Sequence, residues 1–160
     1  MRKRFAALTG LGLFLLALCW GAWAWAQADR GDAEIAALDE KVAQFLDGIS
    51  TGPAAAAYQQ LLAGSPLAKE SEALKNLVDR TGELRDKYGE YRRSEKVAGK
   101  RVGSDLLLLK YLYKCERFPV VWHFTYYRSP PRGTGPGVEG SGGWRVVAVR
   151  FDTDLESLAR

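Results

Sequence analysis

Apolar positions along this chain keep one period in its first half and another in its second. From Ile35, the residues Leu38, Val42, Phe45, Leu46 and Ile49 follow at intervals of three, four, three, one and three. Recurrence at three and four residues marks one face of a helix. A helix is therefore predicted over Asp32–Leu46, with Asp29 or Asp32 to cap its start and Gly48 to end it. A second, shorter helix is predicted from Pro53, whose missing N–H costs nothing in a first turn. Tyr58, Leu61 and Leu62 form its apolar face and Gly64 its stop, while the small Ala54–Ala57 run allows a close helix approach. A third helix, capped by Ser71 and broken by Gly89, carries Leu74, Leu77, Val78, Thr81, Leu84 and Tyr88 on one stripe.

Beyond Gly89 the period becomes two. "EYRRSEKVAGKRVG" reads as a polar edge strand, "SDLLLLKYLYKCERFPVVWHFTYYRS" as two strands turning near Arg117-Phe118, and "GWRVVAVRFD" as a closing strand. Placing Glu116 opposite Pro119 sets Cys115 against Val120, Tyr113 against Trp122, Tyr111 against Phe124 and Leu109 against Tyr126. One face of the sheet is then aromatic and apolar throughout. The other face is mixed, with Lys114 against Val121, Leu112 against His123, Lys110 against Thr125 and Leu108 against Tyr127. A slip of one residue would put His123 and Thr125 among the tyrosines, so this register is preferred.

Between the last two strands, residues 129–143 hold six glycines and three prolines, a composition expected of a flexible hairpin loop and read as a surface insertion rather than a lid. Thr153 and Glu156 fit a capping box for a final helical turn. Three N-terminal helices packed on a curved antiparallel sheet of about four strands define the expected class, α+β.

The first 28 residues differ from the rest. Arg2, Lys3 and Arg4 open the chain, Phe5–Trp25 is almost wholly apolar, and Ala24-Trp25-Ala26 and Ala26-Gln27-Ala28 both offer the small residues that signal peptidase requires. That order predicts a cleaved export signal ending at Ala26 or Ala28, and a periplasmic or secreted protein. The alternative is an anchor, because about 20 apolar residues span a bilayer, and Trp20, Trp23 and Trp25 would suit its interface. Gly10, Gly12 and Gly21 interrupt the run, and no cationic flank follows it. Cys19 lacks the small neighbours of a lipid-attachment site, lying between Leu18 and Trp20.

Cleavage changes the composition. The whole chain has 23 basic and 19 acidic residues, net +4; without its first 28 residues it has 20 against 19, net +1. Nucleic-acid binding therefore loses its support. Cys115 is the one cysteine left, so no internal disulfide forms. About 132 residues remain, enough for one domain over 29–160 with a core of its own.

Candidate chemistry is sparse. His123, the only histidine, is the natural general base, but the preferred register points it to the outer face. One His and one Cys on opposite faces do not make a metal site. Asp152, Asp154 and Glu156 lack the glycine and later glutamate of a calcium loop. No nucleophile elbow or phosphate-binding glycine loop is present, and no cofactor is implied. Arg92, Arg93, Lys96, Lys100 and Arg101 read as a charged, solvated edge.

Three helices feeding such a sheet, "YLYKCERFPVVWHFTYYR" as its central hairpin and "GWRVVAVRFDTDLESL" as its close, resemble the nuclear transport factor two-like (cystatin-like, α+β cone) superfamily over roughly Ala33–Leu158. The resemblance is strongest to small exported bacterial members of unassigned function. It implies a cone with a pocket between helices and sheet, and an activity ranging from isomerase or dehydratase to pure binding or dimerisation. Enzymes of that superfamily place an Asp–His or Tyr–Asp set inside the cone. Here the inner face offers Tyr111, Tyr113, Trp122, Phe124 and Tyr126 with no carboxylate. The expected function is a non-enzymatic exported binding or interaction domain. Those five aromatics are its candidate lining for a small apolar ligand. Leu108, Leu112, Val121 and Tyr127, with Leu106, form its candidate homodimer face. The alternative is a small pocket enzyme using His123, or a tyrosine with a carboxylate such as Asp105. A third reading, a membrane-tethered structural subunit, requires the N-terminal segment to be retained.

Overall fold

The computed structural model describes residues 32–129 and 143–159. The segment expected to be an export signal, with Ala26 and Ala28, the cap candidate Asp29 and most of the 129–143 loop lie outside the described residues. The chain divides into two compact units, Met1–Lys41 and Val42–Arg160. Residues 32–51 are helical (α1), and the unit boundary falls inside them, after Lys41. The first unit's described residues, 32–41, are all helical, with Leu38 buried.

The second unit holds the rest of α1, then α2 (Ala54–Leu61), a 3-10 turn (Pro66–Lys69), α3 (Ser71–Gly82), α4 (Leu84–Tyr88), strands β1 (Tyr91–Val102), β2 (Leu106–Cys115), β3 (Val120–Arg128) and β4 (Trp144–Asp152), and a closing 3-10 helix (Leu155–Ala159). The class is α+β, and the four strands form one antiparallel sheet in the order β1-β2-β3-β4.

Several expected boundaries move. Gly48 does not end α1, which runs to residue 51. A Cβ at Gly48 would stand 3.3 Å from Ala57 Cβ, so this glycine and the alanine run serve a close crossing of α1 and α2. The third helix is two, α3 and α4, and the N-cap of α3 is Glu70 rather than Ser71. At the C-terminus Asp154, not Thr153, caps the 3-10 helix, its Oδ1 accepting from Ser157 N at 3.3 Å.

The central hairpin departs from expectation by two residues. Tyr113 faces Val120, Tyr111 faces Trp122, Leu109 faces Phe124 and Leu107 faces Tyr126. The end of β2 belongs to β1 instead: Tyr91 pairs with Cys115, Glu116 N donates to Glu90 O and Arg117 N to Tyr88 O, both at 2.9 Å. Pro119 has no N–H with which to extend the β3 ladder. Because side chains alternate with a period of two, a two-residue shift changes every partner and no face.

The inward face therefore carries the aromatics as expected, and helices cover it. Phe45 of α1 sets its ring edge-on to Tyr58 at 4.8 Å, Trp122 at 5.4 Å and Phe124 at 5.8 Å. Phe151 of β4 meets Trp122 at 4.6 Å from the other side, under the guanidinium of Arg80. Between helices, Thr81 Oγ1 donates to Leu77 O at 2.7 Å, so Tyr58 Oη donates to Thr81 Oγ1 at 3.0 Å. Ser65 ties the 3-10 turn to the edge of the sheet by donating to Val146 O.

Two glycines next to the α3–α4 region respond oppositely to alanine. Gly89 has φ +88°, and a Cβ there would lie 2.9 Å from Glu116 Cβ. Gly82 is helical, with open space where its Cβ would stand. Urea unfolding is expected to show Gly89→Ala destabilised by more than about 1 kcal/mol, and Gly82→Ala stabilised by about 0.5–1 kcal/mol.

Candidate functional site

The five inward aromatics come together and are sealed. Tyr111, Tyr113, Trp122, Phe124 and Tyr126 are all 5% exposed or less. Trp122 stacks on Phe124 at 5.9 Å, and Tyr111 meets Phe124 edge-on at 6.0 Å. Trp122 Nε1 is buried with no hydrogen-bond partner among the described residues, held in place by the packing of its ring. Of the five, Tyr113 lines a cavity at the rim.

That cavity is a cleft of about 250 Å³ between the end of α1, the α3–α4 junction and the start of β1. Its walls include Ser50, Thr81, Arg85, Glu90, Tyr91 and Tyr113. Tyr91 stacks on Tyr113 at 4.5 Å and donates to Asp47 Oδ1 at 3.0 Å. Arg85 and Glu90 form an ion pair at the rim. Burial raises both phenols above the ordinary tyrosine value, so they are protonated donors at neutral pH. The cleft offers hydroxyls and one ion pair, without an imidazole or a thiol. Sequence periodicity gave no sign of it, because Thr81, Arg85 and Tyr91 come from three elements. A second, more apolar groove of about 240 Å³ runs along β4, where Leu67, Leu74 and Leu77 face Val147 and Val149.

His123 lies on the outer face, as its parity required, but it is buried, at 8% exposure. The segment after β4 comes close to it, through its cross-strand neighbour Lys110. After β4 the chain turns back over β3 until Lys110 Nζ, on β2, donates to Ser157 O at 2.7 Å. Beneath it His123 Nε2 stands 3.3 Å from Asp152 Oδ2, within ion-pair range yet outside hydrogen-bond geometry. Burial lowers the imidazole pKa, Arg150 and Lys110 lower it further, and Asp152 opposes them. Val121, on the same face, is fully buried as well. The sequence pattern placed both residues on the right face and could not show that this part of the face is buried. Among the described residues no group of three or more His, Cys, Asp or Glu is arranged to hold a metal.

The rest of the outer face is bare. Val102, Leu108 and Tyr127 are 42%, 37% and 36% exposed, and Leu106 and Leu112 are half-buried. Lys100 pairs across to Leu108, Arg145 to Tyr127 and Arg150 to His123, and all three cations are exposed. At the same end of the sheet, Arg101 and Arg128 stack on Trp144 at 5.8 and 5.0 Å and share the Ser104 carbonyl. Nearer β1's start the expected basic edge is partly neutralised, by Arg92 with Glu116 and Glu95 with Lys114. Asp105 lies in the β1–β2 turn, its carbonyl accepting from Arg128 N at 2.8 Å, whereas His123 pairs with Lys110 further along the hairpin.

Comparison with protein-family models, with curated proteins and with solved structures gives no match. No helix among the described residues is long and apolar enough to cross a membrane.

Since folded His123 holds its proton more weakly than the unfolded chain does, the native state loses stability as pH falls below the ordinary histidine value of 6.5. Unfolding followed from pH 8 to pH 5 should show a decline below that value that His123→Gln lacks, with a slope of at most about 1.4 kcal/mol per pH unit. Equal slopes for the two proteins would remove this account of His123.

Proposed function

We propose that the chain is an exported, non-enzymatic interaction domain that works through the uncovered part of its outer sheet face. One observation carries this: Val102, Leu106, Leu108 and Tyr127 form a contiguous apolar patch on a rigid sheet, rimmed by Lys100 and Arg145. An apolar patch with a polar rim is the usual sign of a binding surface. A pocket enzyme built on His123 has less support, since the imidazole is buried and is not among the residues lining the cleft. The 250 Å³ cleft favours a second reading, a small-ligand site in which Tyr91 and Tyr113 supply the phenolic hydroxyls. The cone-like form of the resembled superfamily would suit either.

A second copy is the simplest partner, but two such faces would bring the Lys100, Arg145 and Arg150 rims together. On the strands only Glu95 and Asp152 share that side, and both already sit beside Lys114 and His123. A partner of opposite charge meets no such repulsion.

A photo-crosslinking amino acid in place of Leu108 or Tyr127, in cells exporting the protein, should give a discrete adduct that the same residue at exposed Phe118 does not. Adducts no stronger than those from position 118 would overturn the assignment of this face. A self-adduct would assign it to homodimerisation.

A further inference from the structure

We infer that the cleft beside Tyr113 takes an uncharged, polyhydroxylated ring, a hexose or a cyclic polyol. The inference rests on the cleft being a small-ligand site, the second reading above, and adds the class of ligand. Tyr113 pairs with Val120 at one end of the central hairpin, and Leu106 pairs with Tyr127 at the other. The cleft therefore stands apart from the outer-face patch and from the strand ends that residues 129–143 connect.

Two observations mark a space left open. Tyr113 lines the cleft and is only 4% exposed, and burial keeps its phenol protonated. Its hydroxyl has no hydrogen-bond partner among the described residues, and unlike Trp122 Nε1 it is not closed off from solvent. The phenol thus opens into the cleft, and a nearly buried donor without an acceptor is costly until a bound molecule supplies one. Gly82, the last residue of α3, lines the same cleft. A Cβ there would meet nothing within 4 Å. A residue that weakens a helix therefore stands where no neighbour requires it, and a side chain that could fill the space is missing.

The groups around that space offer both donors and acceptors. Ser50 Oγ and Thr51 Oγ1 donate to Asp47 O at 2.7 and 3.0 Å, and Tyr91 Oη donates to Asp47 Oδ1 at 3.0 Å. Each hydroxyl has one proton, so toward a ligand these three offer lone pairs. Donors come from Tyr113 and from the start of α2, where Pro53 gives no side-chain cap and the helical N–H bonds begin at Ala56. Ala54, whose N–H is thereby left without an acceptor, lines the cleft. The two charged residues in the wall, Arg85 and Glu90, are paired with each other. An ionic ligand finds no unpaired counter-charge there to offset its desolvation. An uncharged group that both donates and accepts matches the wall, and a hydroxyl does both from one atom. Ile49, Leu84 and the ring of Tyr91 supply apolar wall for the C–H faces of a ring. A volume of about 250 Å³ lies below that of sites for drug-sized ligands, which limits the occupant to one such ring.

Amide NMR of the full chain tests this with glucose, galactose, mannose and myo-inositol. Cyclohexanol, cyclohexanecarboxylate and cyclohexylammonium serve as rings of similar size that carry a single hydroxyl or a charge. At millimolar concentration at least one of the four polyols should shift the amides of residues 50–52, 54, 82 and 89–91, and the three other rings should leave them in place. The polyol that shifts them says whether a sugar or a cyclitol is preferred. Tyr113→Phe, which removes the unpartnered hydroxyl alone, should weaken that binding about fivefold. Gly82→Leu, at an exposed position, should abolish the shifts while the rest of the spectrum stays that of the folded chain; it carries the comparison if Tyr113→Phe does not fold. No shift with any polyol, equal shifts with a charged ring, or unchanged affinity in both variants would each overturn the inference. If a charged ring or cyclohexanol shifts those amides and no polyol does, the small-ligand site stands and its ligand class is wrong. If nothing shifts them, the small-ligand reading fails as well.

Discussion

Everything in the second unit depends on covering one side of β2 and β3. Leu107, Leu109, Tyr111 and Tyr113 on one strand, with Val120, Trp122, Phe124 and Tyr126 on the other, present a wall that water cannot be left against. Burial of a large apolar side chain contributes about 1.5–3 kcal/mol, and edge-on ring contacts such as those of Phe45 add about 0.5–1.5 kcal/mol. Phe45 is placed by the helical stripe of α1, and Tyr58 by α2 at the crossing that Gly48 and Ala57 permit. Filling the wall with rings also decides what the inner side cannot be. No room for a ligand remains among the five aromatics, and the cleft is pushed to the rim, where only Tyr113 of the five reaches it.

How much of this was legible follows from the two periods. The 3.6 period located the helices, because Val42, Phe45 and Leu46 must all point one way to be buried. The period of two separated the sheet's faces and survived an error of two residues in the hairpin, because parity is indifferent to even shifts. What misled the register was an unstated competitor. Pattern within β2 and β3 favours the tightest turn, whereas Glu90 and Tyr88 offer carbonyls that draw Glu116 and Arg117 toward β1. Helix ends were read less well, since Gly48 looks like a stop when it is a contact, and Ser71 like a cap when it is a first residue. The cleft was illegible for a simpler reason: its residues share no element and no spacing.

The outer face shows the same limit from another side. Val121, His123, Leu108 and Tyr127 have the same parity, and pattern alone treats them alike. The fold divides them: on the side of Val121 and His123 the segment after Asp152 meets the sheet, where Lys110 donates to Ser157 O. Val121 and His123 become interior, with the histidine's proton affinity lowered by burial and by Arg150. Leu108 and Tyr127 stay outside. One uniform face is thus divided into a closed half and an open half.

That division gives the open half its character. At the closed end the sheet's polar groups are engaged within the chain: Lys110 on Ser157 O, Asp152 beside His123, Lys114 with Glu95 and Arg92 with Glu116. At the open end Arg101 and Arg128 stack on the indole of Trp144 and donate to the Ser104 carbonyl. An aromatic ring orients a guanidinium without neutralising it. Apolar side chains in the same rows of the sheet add a surface that water wets poorly. Positive charge held in place next to exposed hydrocarbon is of little use to a folded core. The sheet holds that combination at its uncovered end.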